Sequence, residues 1–188
     1  MFKNFKKLTT LTLFVGFLTA CAPTQTTHPL HSTANPDCIG QIGPIPAGLM
    51  VAQNKELLDN ALGEKGKGKL CQGQVYEAVE AVKVYRVWDS SKSWSAKGSW
   101  WSFNAPGDSK REYQVENDIC PEWSNLDRAH SCMIIPGKQL VVGTGQSAQC
   151  DKEFLKQSAT NQVFINNDTR NNVYLVDNCT DSVPWPAE

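Results

Sequence analysis

Cysteine content constrains the fold of this chain more than any other feature of its sequence. Seven cysteines occur in 188 residues, and Cys21 stands apart from the others at the end of an apolar run. The remaining six are an even number, which in an exported chain predicts three disulfides formed in an oxidising compartment. These six residues are Cys38, Cys71, Cys120, Cys132, Cys150 and Cys179.

The pairing of these cysteines is not fixed by sequence, because six cysteines can pair in many ways. Each disulfide of a sequential arrangement closes a loop of about 12 to 33 residues and contributes a few kcal/mol, mainly by restricting the unfolded chain. A metal site is disfavoured because no C-x-x-C pair is present and the spacings are irregular. We predict sequential pairing: Cys38 with Cys71, Cys120 with Cys132, and Cys150 with Cys179.

The first twenty residues have the pattern of an export signal. Three lysines precede an apolar run from Leu8 to Leu18, which is too short to span a bilayer as a stable helix. The run ends Leu-Thr-Ala-Cys at residues 18–21, which resembles the lipobox of bacterial lipoproteins. The resemblance implies cleavage before Cys21, diacylglyceryl transfer to its sulfur and fatty acylation of the new amino terminus. Several acyl chains anchor a protein stably. A plain secretory signal with a chance cysteine is the alternative.

The lipobox resemblance also predicts the location of the chain. Ala22 follows the cysteine, which in Gram-negative lipoproteins resembles the outer-membrane sorting class. We therefore expect a cell-envelope lipoprotein held to the lipid bilayer by Cys21, with the periplasmic or surface face left open. The expected divisions are a signal peptide at 1–20, a lipidated cysteine and flexible tether at 21–37, and one globular domain at 38–188.

The charge of the mature chain excludes one class of partner. Removing residues 1–20 takes away three lysines and no acids, which leaves 15 basic and 19 acidic residues, a net charge of −4. Binding to nucleic acid needs clustered Lys and Arg that neutralise phosphates. We therefore expect no nucleic-acid partner.

The periodicity of the domain predicts an α+β fold. Residues 53–62 carry apolar side chains on one helical face, and Gly63 suits a helix C-cap. A second helix is predicted at 109–119, and strands are predicted from residue 74 onward and at 99–103. Two turns suggest hairpins, one joining 133–135 to 139–142 and one joining 162–165 to 172–176. The expected domain is a mostly antiparallel sheet with one or two short helices, stapled by disulfides.

Common catalytic motifs are weak in this sequence. Gly63–Lys69 matches most of a phosphate-binding loop, but Leu70 stands where that loop needs Ser or Thr. The G-x-G-x-x-A stretch at 143–148 has too little chain after it for a dinucleotide-binding sheet. His130 is the one histidine of the folded part, and we interpret it as a surface or loop residue. The acids Asp118, Glu122 and Asp127 could form a carboxylate pair for glycoside hydrolysis, but acidic loops are common.

Tryptophan is concentrated in one part of the chain. Five of the six tryptophans lie between residues 88 and 123. They are explained either by packing in the core or by an aromatic platform that stacks on a sugar ring or nucleobase. Trp100 and Trp101 are adjacent, so on a strand they point to opposite faces.

Three segments in order resemble a known family. Tyr-Arg-Val-Trp at 85–88, Gly-Ser-Trp-Trp-Ser at 98–102 and Thr-Asn-Gln-Val-Phe-Ile at 160–165 resemble the ADP-ribosyltransferase-like fold. They are most similar to NAD glycohydrolases of the tuberculosis-necrotizing-toxin type. The match covers about fifteen residues, and glutamine at 162 replaces the glutamate of the transferases, which disfavours protein ADP-ribosylation.

The resemblance implies roles for particular residues. Arg86 would bind the NAD pyrophosphate as a planar, bidentate donor. Trp100 or Trp101 would stack on nicotinamide, and Ser102 would buttress the pocket. Gln162 would hold the ribose or orient water as the glycosidic bond breaks. NAD would then be a substrate, and no cofactor or metal is expected.

Two functions of different classes follow from the sequence. We predict the first, a non-enzymatic envelope lipoprotein whose Trp-rich domain binds a glycan, a small ligand or another envelope protein. The alternative is a toxin-like NAD glycohydrolase that uses Arg86, Trp100, Ser102 and Gln162. One structural observation distinguishes the two functions. The enzyme needs Arg86, one of the two adjacent tryptophans, and Gln162 to lie in one cleft. Pairing of Arg86 with an acid such as Asp89 at the surface would contradict it.

Overall fold

A computed structural model describes residues 36–186 of the chain. The predicted signal peptide, Cys21 and nearly all of the predicted tether lie outside the described residues. In the part that is described, no helix combines the length and the apolar character needed to cross a membrane.

The described residues contain two α-helices, a 3₁₀ helix at Ser93–Lys97 and eleven strands. The helices are α1 (Lys55–Ala61) and α2 (Lys110–Glu116). The strands are β1 (Leu49–Val51), β2 (Leu70–Ala78), β3 (Val82–Trp88), β4 (Trp100–Trp101), β5 (Arg128–Ile134), β6 (Gln139–Gly145), β7 (Ala148–Gln149), β8 (Phe154–Leu155), β9 (Ser158–Phe164), β10 (Val176–Asp177) and β11 (Val183–Pro184). The strand pairs are antiparallel, so the predicted α+β class is confirmed.

Two sheets carry the strands that bear the predicted site residues. The first sheet has the order β1-β2-β6-β9-β4 and carries Gln162 beside the adjacent tryptophans. In the second sheet, β5 pairs with β3 on one side and with β10 and β11 on the other, and β3 carries Arg86. Tyr85 and Ser102 join the two sheets through backbone hydrogen bonds of 2.8 and 2.9 Å. The predicted segments are therefore brought together by a junction between sheets.

The largest apolar core lies where side chains of the two sheets meet. It contains Val84 and Ile134 from the second sheet with Leu140, Val142 and Val163 from the first. On the other face of the first sheet, α1 packs over a smaller cluster that contains residues 141 and 164. Strand β6 is thus covered on both faces, which explains why residues 140–142 are apolar without alternation.

Side-chain caps define where both helices begin. Asn54 precedes α1, and its side chain accepts a hydrogen bond from the Leu57 backbone N–H at 3.0 Å. Ser109 caps α2 in the same way, through the N–H of Glu112. Such caps satisfy backbone donors that the helix itself leaves free. Helix α1 ends one residue earlier than predicted, with Leu62 in place of Gly63 as its C-cap.

The three disulfides correct the predicted pairing. Cys38 pairs with Cys71 as predicted. The predicted pairs Cys120–Cys132 and Cys150–Cys179 are wrong, because the structure joins Cys120 to Cys150 and Cys132 to Cys179. Sheet register explains the second bond: β10 pairs antiparallel with the end of β5, which places the residues just beyond β10 beside the middle of β5.

Both predicted hairpins are wrong for the same reason. The Pro136–Gly137 turn joins β5 to β6, but these strands belong to different sheets. Likewise β9 pairs with β4 and β6, whereas β10 pairs with β5. None of these strands pairs with the strand across its predicted turn, so a local turn signal did not identify the pairing.

Candidate functional site

A cleft of about 200 Å³ lies between the two sheets and the loop that follows α2. Its lining includes Arg86 from β3, both tryptophans of β4, and Gln162 from β9. Four of the five residues that the resemblance placed around NAD, which come from three separate segments, therefore line one cleft, and Ser102 does not. The loop after α2 adds Asp118 and Trp123 to the lining.

Arg86 is held in the cleft wall by main-chain carbonyls. Its Nε donates to the carbonyl oxygen of Ser95 at 2.6 Å, and its Nη1 donates to the carbonyl of Trp100. Its guanidinium carbon lies 5.8 Å from the centre of the Trp101 ring, in a cation–π arrangement. A Cβ on Gly98 would stand 2.4 Å from Nη2, so the absence of a side chain there admits the guanidinium.

No carboxylate neutralises Arg86 within residues 36–186. Asp89, the acid that would have contradicted the enzyme reading, instead forms an ion pair with Lys92 and accepts hydrogen bonds from Ser91 and Asn125. Burial lowers the pKa of Arg86 to about 10, so the guanidinium is still charged at neutral pH. A half-buried positive charge without an acid favours an anionic group of a ligand as its counter-charge.

The two adjacent tryptophans point to opposite faces of the first sheet, as predicted. Trp101 is 2% exposed and packs in the core between the sheets, and its indole N–H donates to the carbonyl of Gly98. Trp100 packs on the other face, with its ring centre 5.0 Å from that of Phe164. Trp101 therefore supports Arg86 rather than offering a free face.

Trp123 is the exposed aromatic ring of the cleft lining, with 44% of its surface accessible. Its ring lies against the backbone at Gly68, where an added Cβ would meet ring atoms at 3.2 Å. Stacking on a planar ligand requires an accessible face. Trp123 is therefore a better candidate for stacking on a planar ligand than Trp100. The resemblance in sequence suggested only Trp100 and Trp101 for this role.

Asp118 and Gln162 stand side by side at the floor of the cleft. A Cβ on Gly145 would lie 1.8 Å from Oδ2 of Asp118 and 2.8 Å from Nε2 of Gln162, so both polar atoms occupy the space that a side chain would fill. The two residues are 2% and 5% exposed. Among the described residues, neither Asp118 oxygen nor this Gln162 nitrogen has a hydrogen-bond partner of acceptable geometry.

Burial changes the protonation of groups around the cleft. Desolvation raises the pKa of Asp118 to about 7, although the backbone N–H of Ser158 nearby acts to lower it. Burial likewise raises the pKa of Tyr113, which lines the cleft next to Arg86. The cleft thus holds a carboxyl that changes charge near neutral pH, a property common at functional sites.

Two further predicted residues lie outside the lining of this cleft. Ser102 joins the sheets through its backbone, and its hydroxyl accepts a hydrogen bond from the N–H of Asn104. His130 lies on β5 instead of in a loop, is paired in register with Arg86, and stacks on Trp101 at 5.7 Å between ring centres. Both residues contact residues of the strands that line the cleft: Ser102 pairs with Tyr85, and His130 stacks on Trp101.

One cluster of metal-ligating residue types exists in the described part of the chain. Cys120, Glu122 and Cys150 approach one another, but the two cysteines form a disulfide and have no free thiolate. This cluster therefore gives no ground for a metal site.

Comparisons with family models, with curated proteins and with solved structures find no match for this chain. The resemblance to the ADP-ribosyltransferase-like fold stays a prediction carried by its three segments. The site is interpreted from its own residues.

Proposed function

We propose that this chain is a lipid-anchored envelope lipoprotein whose domain binds NAD in the cleft and hydrolyses the bond between nicotinamide and ribose. The observation that carries the proposal is the convergence of Arg86, the Trp100–Trp101 pair and Gln162 on one cleft. These residues come from three segments that are far apart in sequence, and all three segments line the same cavity. The lipid anchor rests on the Cys21 segment alone.

The electrostatics of the cleft fit a dinucleotide. Arg86 offers an uncompensated positive charge to a phosphate, and Trp123 offers a ring to a planar group. A volume of about 200 Å³ is below the roughly 300–1,000 Å³ of pockets that enclose whole ligands. The cleft therefore takes one ring-sized end of NAD, and the remainder lies on the surface near Arg86.

The reaction needs few groups. The bond from ribose C1′ to the nicotinamide nitrogen breaks, and its electron pair stays on the ring nitrogen. A water oxygen bonds to C1′ and gives up a proton, so the products are nicotinamide, ADP-ribose and a proton. In this proposal Gln162 positions the water or ribose, and a neighbouring carboxylate such as Asp118 accepts the proton near neutral pH.

Release of free nicotinamide from NAD tests the proposal. The full chain is exported, purified with its disulfides formed and incubated with NAD beside Arg86→Lys and Gln162→Ala. Matched controls are Arg170→Lys and Gln53→Ala, which change the same residue types at exposed positions. We expect turnover to fall at least about tenfold in the cleft variants and to be unchanged in the controls. Absence of turnover in the folded wild-type chain would contradict the enzyme.

One observation favours the non-enzymatic alternative. Two of the three nitrogens of Arg86 already bind main-chain carbonyls, which leaves fewer donors for a bidentate grip on pyrophosphate. A domain that binds a small ligand without turnover would show saturable binding of NAD, or of a glycan, with no nicotinamide released.

A further inference from the structure

An exposed surface of apolar and basic side chains lies where the domain begins. Ile39 and Phe154 are 47% and 46% exposed, and they line one groove together with two lysines. No acid lines this groove among the described residues, and a third lysine is exposed in the adjoining loop. We call this surface the basal face and define it by Ile39, Lys65, Lys67, Phe154 and Lys156.

Strand alternation leaves the Phe154 side chain outside. Phe154 lies in the hairpin of β7 and β8, where it is paired with Gln149. Side chains of successive strand residues point to opposite faces. The next residue, Leu155, is buried and packs in the cluster that contains Cys120 and Cys150. Phe154 therefore points away from that cluster and is exposed by the geometry of the hairpin.

The loop that carries two of the lysines is fixed to the same hairpin. The backbone N–H of Gly66 donates to the Ser147 hydroxyl at 3.0 Å, and its carbonyl accepts from a β7 backbone N–H at 2.9 Å. Lys65 and Lys67 flank this glycine and are exposed. Within residues 36–186, neither of them nor Lys156 forms an ion pair. The basal face therefore presents three cationic side chains on a fixed backbone.

The predicted lipid anchor is joined to the domain beside this face. Residues 22–37 separate Cys21 from Cys38, and a segment of that length spans at most about 50–60 Å. Its far end is tied to the start of β2 by the Cys38–Cys71 disulfide, and Ile39 follows directly. Linkers of this length give effective concentrations on the order of millimolar, so an anchored domain populates bilayer contacts that are weak by themselves.

We propose that the basal face rests on a bilayer whose surface carries anionic lipid headgroups. Ile39 and Phe154 enter the headgroup layer, and the lysines lie on the phosphates with their alkyl chains beside the apolar side chains. Exposed apolar patches rimmed by polar residues mark sites that bind proteins or membranes, and the adjacent anchor argues for the membrane. The inference rests on the lipid anchor of the proposed function and does not depend on NAD hydrolysis.

The charge of the face is opposite to the charge of the mature chain. Asp37 and Glu64 adjoin the face in sequence, and Glu153, next to Phe154, is already paired with Arg111. Three lysines against two adjoining acids leave an excess of one positive charge, whereas the mature chain has a net charge of −4. Each lysine close to an anionic bilayer strengthens binding by about fivefold. An anionic surface therefore attracts the basal face and repels the acidic remainder, which orients the domain.

Rates of lysine labelling identify the surface that faces the bilayer. The full exported chain is bound to vesicles of phosphatidylcholine, with or without phosphatidylglycerol, and treated with a water-soluble amine-reactive reagent. Mass spectrometry gives the rate at each lysine and shows whether Cys21 is acylated. We expect Lys65, Lys67 and Lys156 to react at least about threefold more slowly on the anionic vesicles. Lys138 is exposed at the opposite end of β6 and should react equally on both.

A matched pair of substitutions tests the apolar part of the face. Phe154→Ser removes its largest apolar side chain, so we expect the three lysines to lose most of their protection on anionic vesicles. Met50→Ser is the control, because Met50 is also exposed but lies on β1, which pairs with the end of β2 far from Cys71. Its protection pattern should equal that of the wild type. A denaturation curve on each variant shows whether a loss reflects unfolding.

The outcomes separate this inference from the anchor. An acylated chain whose basal lysines react equally on both vesicles would overturn the inference and leave the anchor standing. Slowing that Lys138 shares would also overturn it, as would slowing that rises with protein concentration and needs no anionic lipid, which indicates contact between two copies. Protection in a chain without acyl groups would support the face and contradict the anchor. A chain with neither acyl groups nor protection would contradict both.

Discussion

The core between the sheets and the floor of the cleft lie in the same domain and are both buried, but they bury different kinds of side chain. In the core, apolar side chains such as Leu140 and Val163 are fully buried against one another. At the floor, Asp118 and Gln162 are nearly as buried but leave polar atoms unpaired. The difference indicates that the core is built for stability, whereas the floor carries polar groups that are costly to bury without a hydrogen-bond partner.

The largest expected effect is a loss of stability from a substitution in the core that leaves the cleft unchanged. Leu140→Ala removes a buried side chain that does not line the cleft, so we expect the free energy of unfolding to fall by about 2–5 kcal/mol. Chemical denaturation measures the loss. Nicotinamide release per folded molecule should be unchanged, and a parallel loss of turnover in the fully folded variant would show that core and cleft are not separate.

Removal of one disulfide has the next largest effect. Replacing Cys132 and Cys179 together by serine opens a closure of 47 residues, so we expect a loss of about 2–4 kcal/mol. Denaturation under non-reducing conditions measures it. The same double change at Cys38 and Cys71 opens 33 residues and is the matched comparison. Peptide mapping that instead recovers a Cys120–Cys132 bond would contradict the described pairing.

Asp118→Asn should raise stability at alkaline pH, the reverse of a core substitution. The folded-state pKa of about 7 lies above the ordinary value of 3.8, so the folded protein holds a proton that the unfolded chain loses. Stability due to this group is present below about pH 4 and falls as pH rises to about 7. We expect Asn to stabilise the fold by about 1–3 kcal/mol at pH 8 and by little at pH 4. Equal effects at both pH values would show that Asp118 is not buried as a neutral acid.

The smallest expected effect is a difference in NAD binding between substitutions of two exposed tryptophans. Trp94, on the 3₁₀ helix, is 63% exposed and lies outside the cleft lining, so Trp94→Phe should change stability by less than about 0.5 kcal/mol and leave NAD binding unaltered. Trp123→Phe should also be mild for stability but weaken NAD binding, by about threefold to tenfold, since a smaller ring stacks over less area. Titration of NAD by fluorescence compares them, and equal effects would remove Trp123 from the site.

Much of the local structure could be predicted because it has local causes. The apolar face of α1 and the opposite faces of Trp100 and Trp101 follow from helix and strand periodicity. The partners of β5 and β6 could not be predicted, because strand pairing here depends on contacts far apart in sequence. The same reason explains the wrong disulfides at Cys120 and Cys132, whose partners are brought to them by the fold.

The cleft was partly predictable for a related reason. Arg86 and Gln162 stand out through their place in short segments that resemble a family. In the sequence, Asp118 is one of several acidic loop residues, and its neighbours do not predict that it is buried. Its importance comes from Gly145 on β6, which makes room for its carboxyl beside Gln162. A residue whose environment is created by another sheet leaves no local signal.

The most direct test of the central claim is where NAD touches the protein. Spectra of the ¹⁵N-labelled full chain resolve indole N–H and side-chain amide signals, which can be followed as NAD or nicotinamide is added. The account predicts shifts at the Gln162 side-chain amide and the Trp123 indole, with Trp94 unmoved. Shifts centred on Trp94, or no shift at Gln162 at saturating ligand, would contradict the assignment of this cleft as the functional site.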